Sequence, residues 1–144
     1  MNDRYLEDLQ VGEKTKTGSV TITEAEILEF ARRFDPQPMH TDPNVEGGLI
    51  ASGWHTAALV MRLVADAQPL GDLPLLGMGV DNIEWAQPVR PGDTIQVEAE
   101  VLAIRPSKSR PTHGIVKMRS TARNQKGEVV YVVTPNVWVP RRPA

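Results

Sequence analysis

The sequence predicts a single α+β domain in which an antiparallel sheet wraps around one long central helix. Three observations predict it. A capping box opens an amphipathic helix near residue 23, an almost wholly apolar helical segment fills Trp54 to about Gln68, and from residue 75 the periodicity changes to two in four successive stretches. The chain has 144 residues, about the size of one domain, so residues 1–144 are read as one unit with one core.

Val11 to Ile22 is read as an early strand. Thr23-Glu24-Ala25-Glu26 then fits the pattern in which a threonine hydroxyl and a glutamate three residues on satisfy each other's free amides. Ile27, Phe30, Ala31 and Phe34 fall on one face of the helix that follows, while Glu29 and Arg33 opposite are spaced for an ion pair. Pro36 disfavours the helical conformation at Asp35, and Pro38 and Pro43 mark the stretch Asp35–Pro43 as stiff and non-helical. Gly47-Gly48 and Ser52-Gly53 punctuate the approach to the second helix. Its ionisable side chains are confined to the strip His55, Leu59, Arg62 and Asp66, which predicts burial at the centre of the fold. Strands follow near 76–87, 94–105, 114–123 and 128–139. Ile95, Val97, Ala99, Val101 and Ala103 alternate with polar residues, as do Val116, Met118, Ser120 and Ala122. One curved sheet leaves an exposed edge, and pairing that edge with a second copy predicts a homodimer.

Composition removes several function classes. With no cysteine, thiolate metal sites, cysteine nucleophiles and redox motifs are excluded, and a reducing compartment fits. The longest uncharged run, Gly47–Met61, spans 15 residues, short of the roughly 20 a membrane span needs. No apolar signal core opens the chain, so a cytoplasmic protein is expected. A net charge of −2 gives no general reason to expect nucleic acid as a partner. Residues 73–144, however, carry ten Lys and Arg against six Asp and Glu. Most of these cations suit solvent-facing strand positions, and some could meet an anionic ligand.

Asp35 and His40 are the strongest candidates for chemistry. They flank two prolines on one stiff segment, which can aim a carboxylate and an imidazole at a shared water at little entropic cost. Asp35 lies at the negative end of the first helix dipole, which predicts a raised pKa, and histidine as a class titrates near neutrality. The pair suits base and acid roles. The alternative is a helix-stop Asp followed by a surface His. Metal binding by His40, Asp42 and His55 lacks a recognised ligand spacing, so no metal is expected. At Ser52-Gly53-Trp54, glycine admits close approach and the helix start offers free amides to an oxyanion; Ser52 is equally competent as a plain cap. His55 is assigned to the polar strip with Arg62 and Asp66, and His113 to an exposed turn. The three tryptophans are expected to supply core or interface mass.

Asp35 to Pro43 resembles the Asp-x4-His-x-Asp motif of the MaoC-like dehydratases, the (R)-specific enoyl-CoA hydratases of hot-dog fold. Gly48 to Thr56 is similar to that family's entrance to its central helix, and Pro88 to Thr94 to its turn into the next strand. The resemblance covers almost the whole chain. It implies a hot-dog homodimer of fatty-acid metabolism that hydrates a trans-2-enoyl-CoA or dehydrates its 3-hydroxyacyl-CoA, with CoA thioester as substrate and no separate cofactor. Asp35 and His40 would hold the water, the Gly53 N–H would bind the thioester oxygen, and Ser52 and Trp54 would contact substrate. Cations of the second half, Arg90 among them, become contacts for CoA phosphates. Two positions depart from the family. Gln37 stands where asparagine is frequent, and Met61 where some members place a serine in the central helix; Met61 and Trp54 would both shape the acyl pocket. The alternatives are a hot-dog acyl-CoA thioesterase and a non-catalytic acyl-CoA-binding subunit.

Overall fold

A computed structural model describes residues 3–74 and 76–144. A short 3-10 turn, Leu6–Asp8, precedes β1 (Lys14–Thr21), α1 (Glu24–Phe34), α2 (Pro38–Thr41) and α3 (Gly53–Ala67). Four strands complete the chain: β2 (Leu76–Glu84), β3 (Thr94–Pro106), β4 (His113–Arg123) and β5 (Val129–Pro140). They form one five-stranded antiparallel sheet in the order β1-β3-β4-β5-β2.

The alternation along β3 and β4 decides which face meets α3. Ile95, Val97, Ala99 and Val101 are buried, as are Val116, Met118, Ser120 and Ala122. The pattern breaks at Ala103, which is exposed, because a bulge between Val101 and Ala103 inserts a residue and reverses the facing; Ile104 packs inward in its place. Val60, Leu63 and Val64 of α3 join Ile22, Ile27, Val97 and Val130 in the larger of two core clusters. The other gathers Leu6, Leu9 and Leu70 over Val101, Val116 and Val139.

The α1 capping box forms as its sequence requires. The Thr23 hydroxyl accepts from the Glu26 N–H at 3.2 Å and the Glu26 carboxylate accepts from the Thr23 N–H at 3.0 Å. Arg33 lies over the ring of Phe34, 5.0 Å from its centroid, and is not paired with Glu29.

Two expectations are corrected. The Asp35–Pro43 stretch is not wholly non-helical: Pro38–Thr41 makes one helical turn with proline at its first position. There the missing N–H costs nothing, and the ring's fixed φ suits a helix. The central helix is not buried all round either. Its Trp54 is 60% exposed and Met61 57%, because this sheet covers only one side of α3. No helix among the described residues is long and apolar enough to cross a membrane.

Candidate active site

Asp35 caps the C-terminus of α1, its N–H bonded to the Ala31 carbonyl at 2.8 Å. The single turn of α2 then brings His40 back toward it. His40 Nε2 lies 3.5 Å from Asp35 Oδ2, and the imidazole is buried at 5% exposure. The other ring nitrogen, Nδ1, sits 2.8 Å from the Ile50 carbonyl oxygen. A carbonyl only accepts, so Nδ1 carries a proton, and Nε2 is the ring nitrogen left facing Asp35. The Ile50 N–H in turn donates to the Met39 carbonyl at 3.0 Å, tying the segment before α3 to α2.

Two side chains converge on the carboxylate. Gln37 Nε2 donates to Oδ1 at 2.6 Å and Ser52 Oγ to Oδ2 at 2.7 Å. These bonds, Gln37 first, and the neighbouring His40 hold the Asp35 carboxyl below its ordinary value against the opposing effect of burial. The raised pKa expected from the α1 dipole is therefore wrong in direction. Direct hydrogen bonds to the charged form outweigh a partial charge at a helix end.

Ser52 is the N-cap residue of α3, yet its side chain makes no capping bond. Its carbonyl accepts from the His55 and Thr56 amides at 3.0 and 3.1 Å. The Gly53 and Trp54 amides have no acceptor among the described residues, so the helix start offers two unpaired N–H groups. Beside them, the indole N–H of Trp85 donates to the Gly53 carbonyl at 2.8 Å, and Trp54 meets Trp85 edge to face at 5.1 Å. The structure thus brings Asp35, His40, Ser52 and Gly53 together, with Trp54 exposed at the margin.

Sequence reasoning missed Gln37 as a carboxylate partner and Trp85 as a neighbour of Gly53. Gln37 was legible as the only amide within the proline segment; Trp85, 32 residues from Gly53, carried no local signal. Arg90 donates to the Gly47 carbonyl at 3.0 Å and so braces the loop ahead of α3. His55 is not bonded to Arg62 and Asp66, which pair with each other at 2.9 Å in solvent. It stacks on Phe30 with ring centroids 4.7 Å apart, its buried Nδ1 without a partner. Burial lowers its pKa, with Glu26 opposing. His113 is half-buried, with its Nδ1 2.8 Å from the Thr112 hydroxyl and its ring edge-on to Trp138. Among the described residues no three His, Asp or Glu side chains gather as metal ligands.

An apolar cavity of about 380 Å³ runs between α3 and β2, β4 and β5, lined by Ala57, Met61, Val80, Ile83, Tyr131 and Val133 among others. Ala57 is one helical turn beyond Gly53, and Tyr131 lies 5.8 Å from the Trp85 ring that abuts Gly53. The cavity therefore adjoins the free end of α3.

Comparisons with known proteins bear on the family and the fold. The chain is 46% identical to a MaoC-like dehydratase from Rhodospirillum rubrum, with a TM-score of 0.90 over 97% of this chain and 99% of that one. The (R)-hydratase PhaJ1 from Pseudomonas aeruginosa is 25% identical with a TM-score of 0.78, over 97% of this chain and 88% of that one. These neighbours bear out the hot-dog fold. The uncharacterized protein YdeM of Bacillus subtilis is 30% identical over 94% of this chain and 99% of its own length. The mesaconyl-CoA hydratase of Haloarcula hispanica is 29% identical over 77% of this chain, which spans only 27% of that longer protein. Residues 8–124 match the family described as the MaoC like domain, and to that family this chain belongs.

Proposed function

We propose that the chain is an (R)-specific hydro-lyase that adds water to a 2-enoyl-CoA, or removes it from the 3-hydroxyacyl-CoA. The observation that carries this reading is the Asp35–His40 pair, 3.5 Å apart beside the uncapped start of α3. A water beside the pair, at the apex of a triangle with Nε2 and Oδ2, can lie within hydrogen-bond reach of both. Its oxygen attacks the β-carbon, its proton passes to Nε2, and the double-bond electrons move toward the thioester oxygen. The Gly53 N–H receives that oxyanion, with the α3 dipole in support. The Nε2 proton then goes to the α-carbon on the same face, leaving His40 neutral again. Asp35 stays ionised throughout, orienting the water and balancing the transient imidazolium.

No electrons enter or leave, so the reading requires no redox cofactor. The apolar cavity beside Gly53 suits an acyl chain, with Met61 and Tyr131 on its walls. The likeness to a mesaconyl-CoA hydratase and to (R)-hydratases supports the CoA thioester and the stereochemistry. A CoA thioester substrate in turn supports a cytoplasmic role in acyl-group metabolism. A second copy of the chain is the partner we propose. β2 ends the sheet with Leu76, Met78 and Val80 exposed, and Trp54 and Met61 present further apolar surface.

Incubation with crotonyl-CoA tests the reading. The expected result is loss of enoyl absorbance without release of free thiol, reduced ~10²-fold or more in Asp35→Asn and in His40→Ala. Thiol release would make the chain a thioesterase, and tight binding without turnover a non-catalytic acyl-CoA-binding subunit.

A further inference from the structure

Serine at a helix start ordinarily turns its hydroxyl onto the second or third amide of that helix. Ser52 does not. It is wholly buried, at 0% exposure, and its hydroxyl reaches across 17 residues of sequence to Asp35 Oδ2. Its backbone meanwhile belongs to α3, with the carbonyl accepting from His55 and Thr56. One residue is thus fastened to the carboxylate by its side chain and to the start of α3 by its main chain. The oxygen it holds is also the one that faces His40 Nε2.

Resting on the hydro-lyase reading, we infer that Ser52 is a positioning residue: it sets the Asp35 carboxylate relative to the Gly53 amide and does not itself touch substrate. Two consequences follow from the same bond. Oδ2 loses the freedom to rotate away from the water it would share with Nε2, and Oδ1 is left to Gln37, so the whole carboxylate plane is defined. With the hydroxyl turned away, the Gly53 and Trp54 amides also remain open for the developing oxyanion, where a capping serine would compete for an amide in the same turn. Complete burial separates this role from substrate binding, because a group with no exposed surface acts on an acyl-CoA only through its neighbours.

The test compares Ser52→Ala and Ser52→Thr with the parent protein in steady-state hydration of crotonyl-CoA. In parallel, the Asp35 carboxyl carbon is titrated by 13C NMR without substrate. Ser52→Ala is expected to lower kcat about tenfold or more, the scale of one hydrogen bond to a charged group, with KM held within about twofold. The Asp35 titration is expected to move to higher pH, and Ser52→Thr, which keeps the hydroxyl, to recover most of both effects. A rise in KM at constant kcat would make Ser52 a substrate contact and overturn the inference. An unmoved Asp35 titration in Ser52→Ala would overturn it as well. If Ser52→Ala does not fold, Ser52→Cys retains the volume with a weaker donor and is expected to move the titration the same way. Absence of turnover in the parent protein defeats the hydro-lyase reading alone, since the NMR titration reports the Ser52–Asp35 coupling without any substrate.

Discussion

The indole N–H of Trp85 donates to the Gly53 carbonyl at 2.8 Å, and the same indole occupies the space a side chain at residue 53 would need. A Cβ built there falls 2.7 Å from Trp85 Nε1 and 2.9 Å from Cε2, too close for either to stay in place. Glycine is therefore demanded by the packing of Trp85 against the first turn of α3.

Gly53→Ala is expected to displace Trp85, shift the amide it abuts and lower kcat by about 10²-fold, the scale of losing one oxyanion donor. Trp85→Phe in the same chain makes room for the methyl and should recover part of that loss. Steady-state kinetics of the two variants checks this, and full activity in Gly53→Ala would show that the Trp85 packing does not hold the amide in place.

Gln37 acts on the other oxygen of the carboxylate. Because its bond is the first cause of the lowered Asp35 pKa, Gln37→Ala should raise the Asp35 titration and reduce kcat/KM about tenfold, as expected for one charged hydrogen bond. An unchanged NMR titration in this variant would show that the Gln37 amide does not bond Asp35 in solution.

Stability at mildly acid pH should depend on His55. Burial lowers its pKa in the folded chain, so below its unfolded value near 6.5 the unfolded chain takes up a proton that the native chain refuses. Stability therefore falls as pH drops through that window toward the native value. Phenylalanine at 55 cannot titrate and leaves no orphaned ring nitrogen against Phe30. Removing a buried unsatisfied group worth about 1 kcal/mol should raise Tm by about 2–4 °C. Thermal melts of His55→Phe and the parent from pH 7 to pH 5 should diverge as pH falls; parallel curves would refute the assignment.

The β2 edge yields a prediction about assembly. With Met78 and Val80 both changed to Asp, four carboxylates would face one another across an edge-to-edge pair, and like charges opposed on adjoining strands destabilise pairing. Sedimentation should then find one chain where the parent sediments as two. A dimer that survives both changes would place the interface on another face.

Much of the architecture was legible because it rests on short-range patterns. The Thr23–Glu26 box and the alternation of β3 and β4 each involve neighbours within a few residues. The errors fall where distant groups decide. Pro36 and Pro38 read as an extended segment, yet Pro38 can begin a helix, and the turn forms where the His40 ring closes onto the Ile50 carbonyl. Asp35 was assigned a raised pKa from its own helix, because neither the Gln37 amide nor the Ser52 hydroxyl was foreseen as its donor. The all-apolar look of α3 implied burial without saying what covers Trp54 and Met61, and one chain leaves them open.

The short helix α2 converts a count of residues into an angle. Each residue added to a helix turns the chain by ~100° and advances it ~1.5 Å, so one insertion between Pro38 and His40 would swing the imidazole away from Asp35. Deleting one would do the same in the opposite sense. This stretch therefore tolerates exchange of the exposed Met39 far better than any change in its length, unlike an ordinary surface connection.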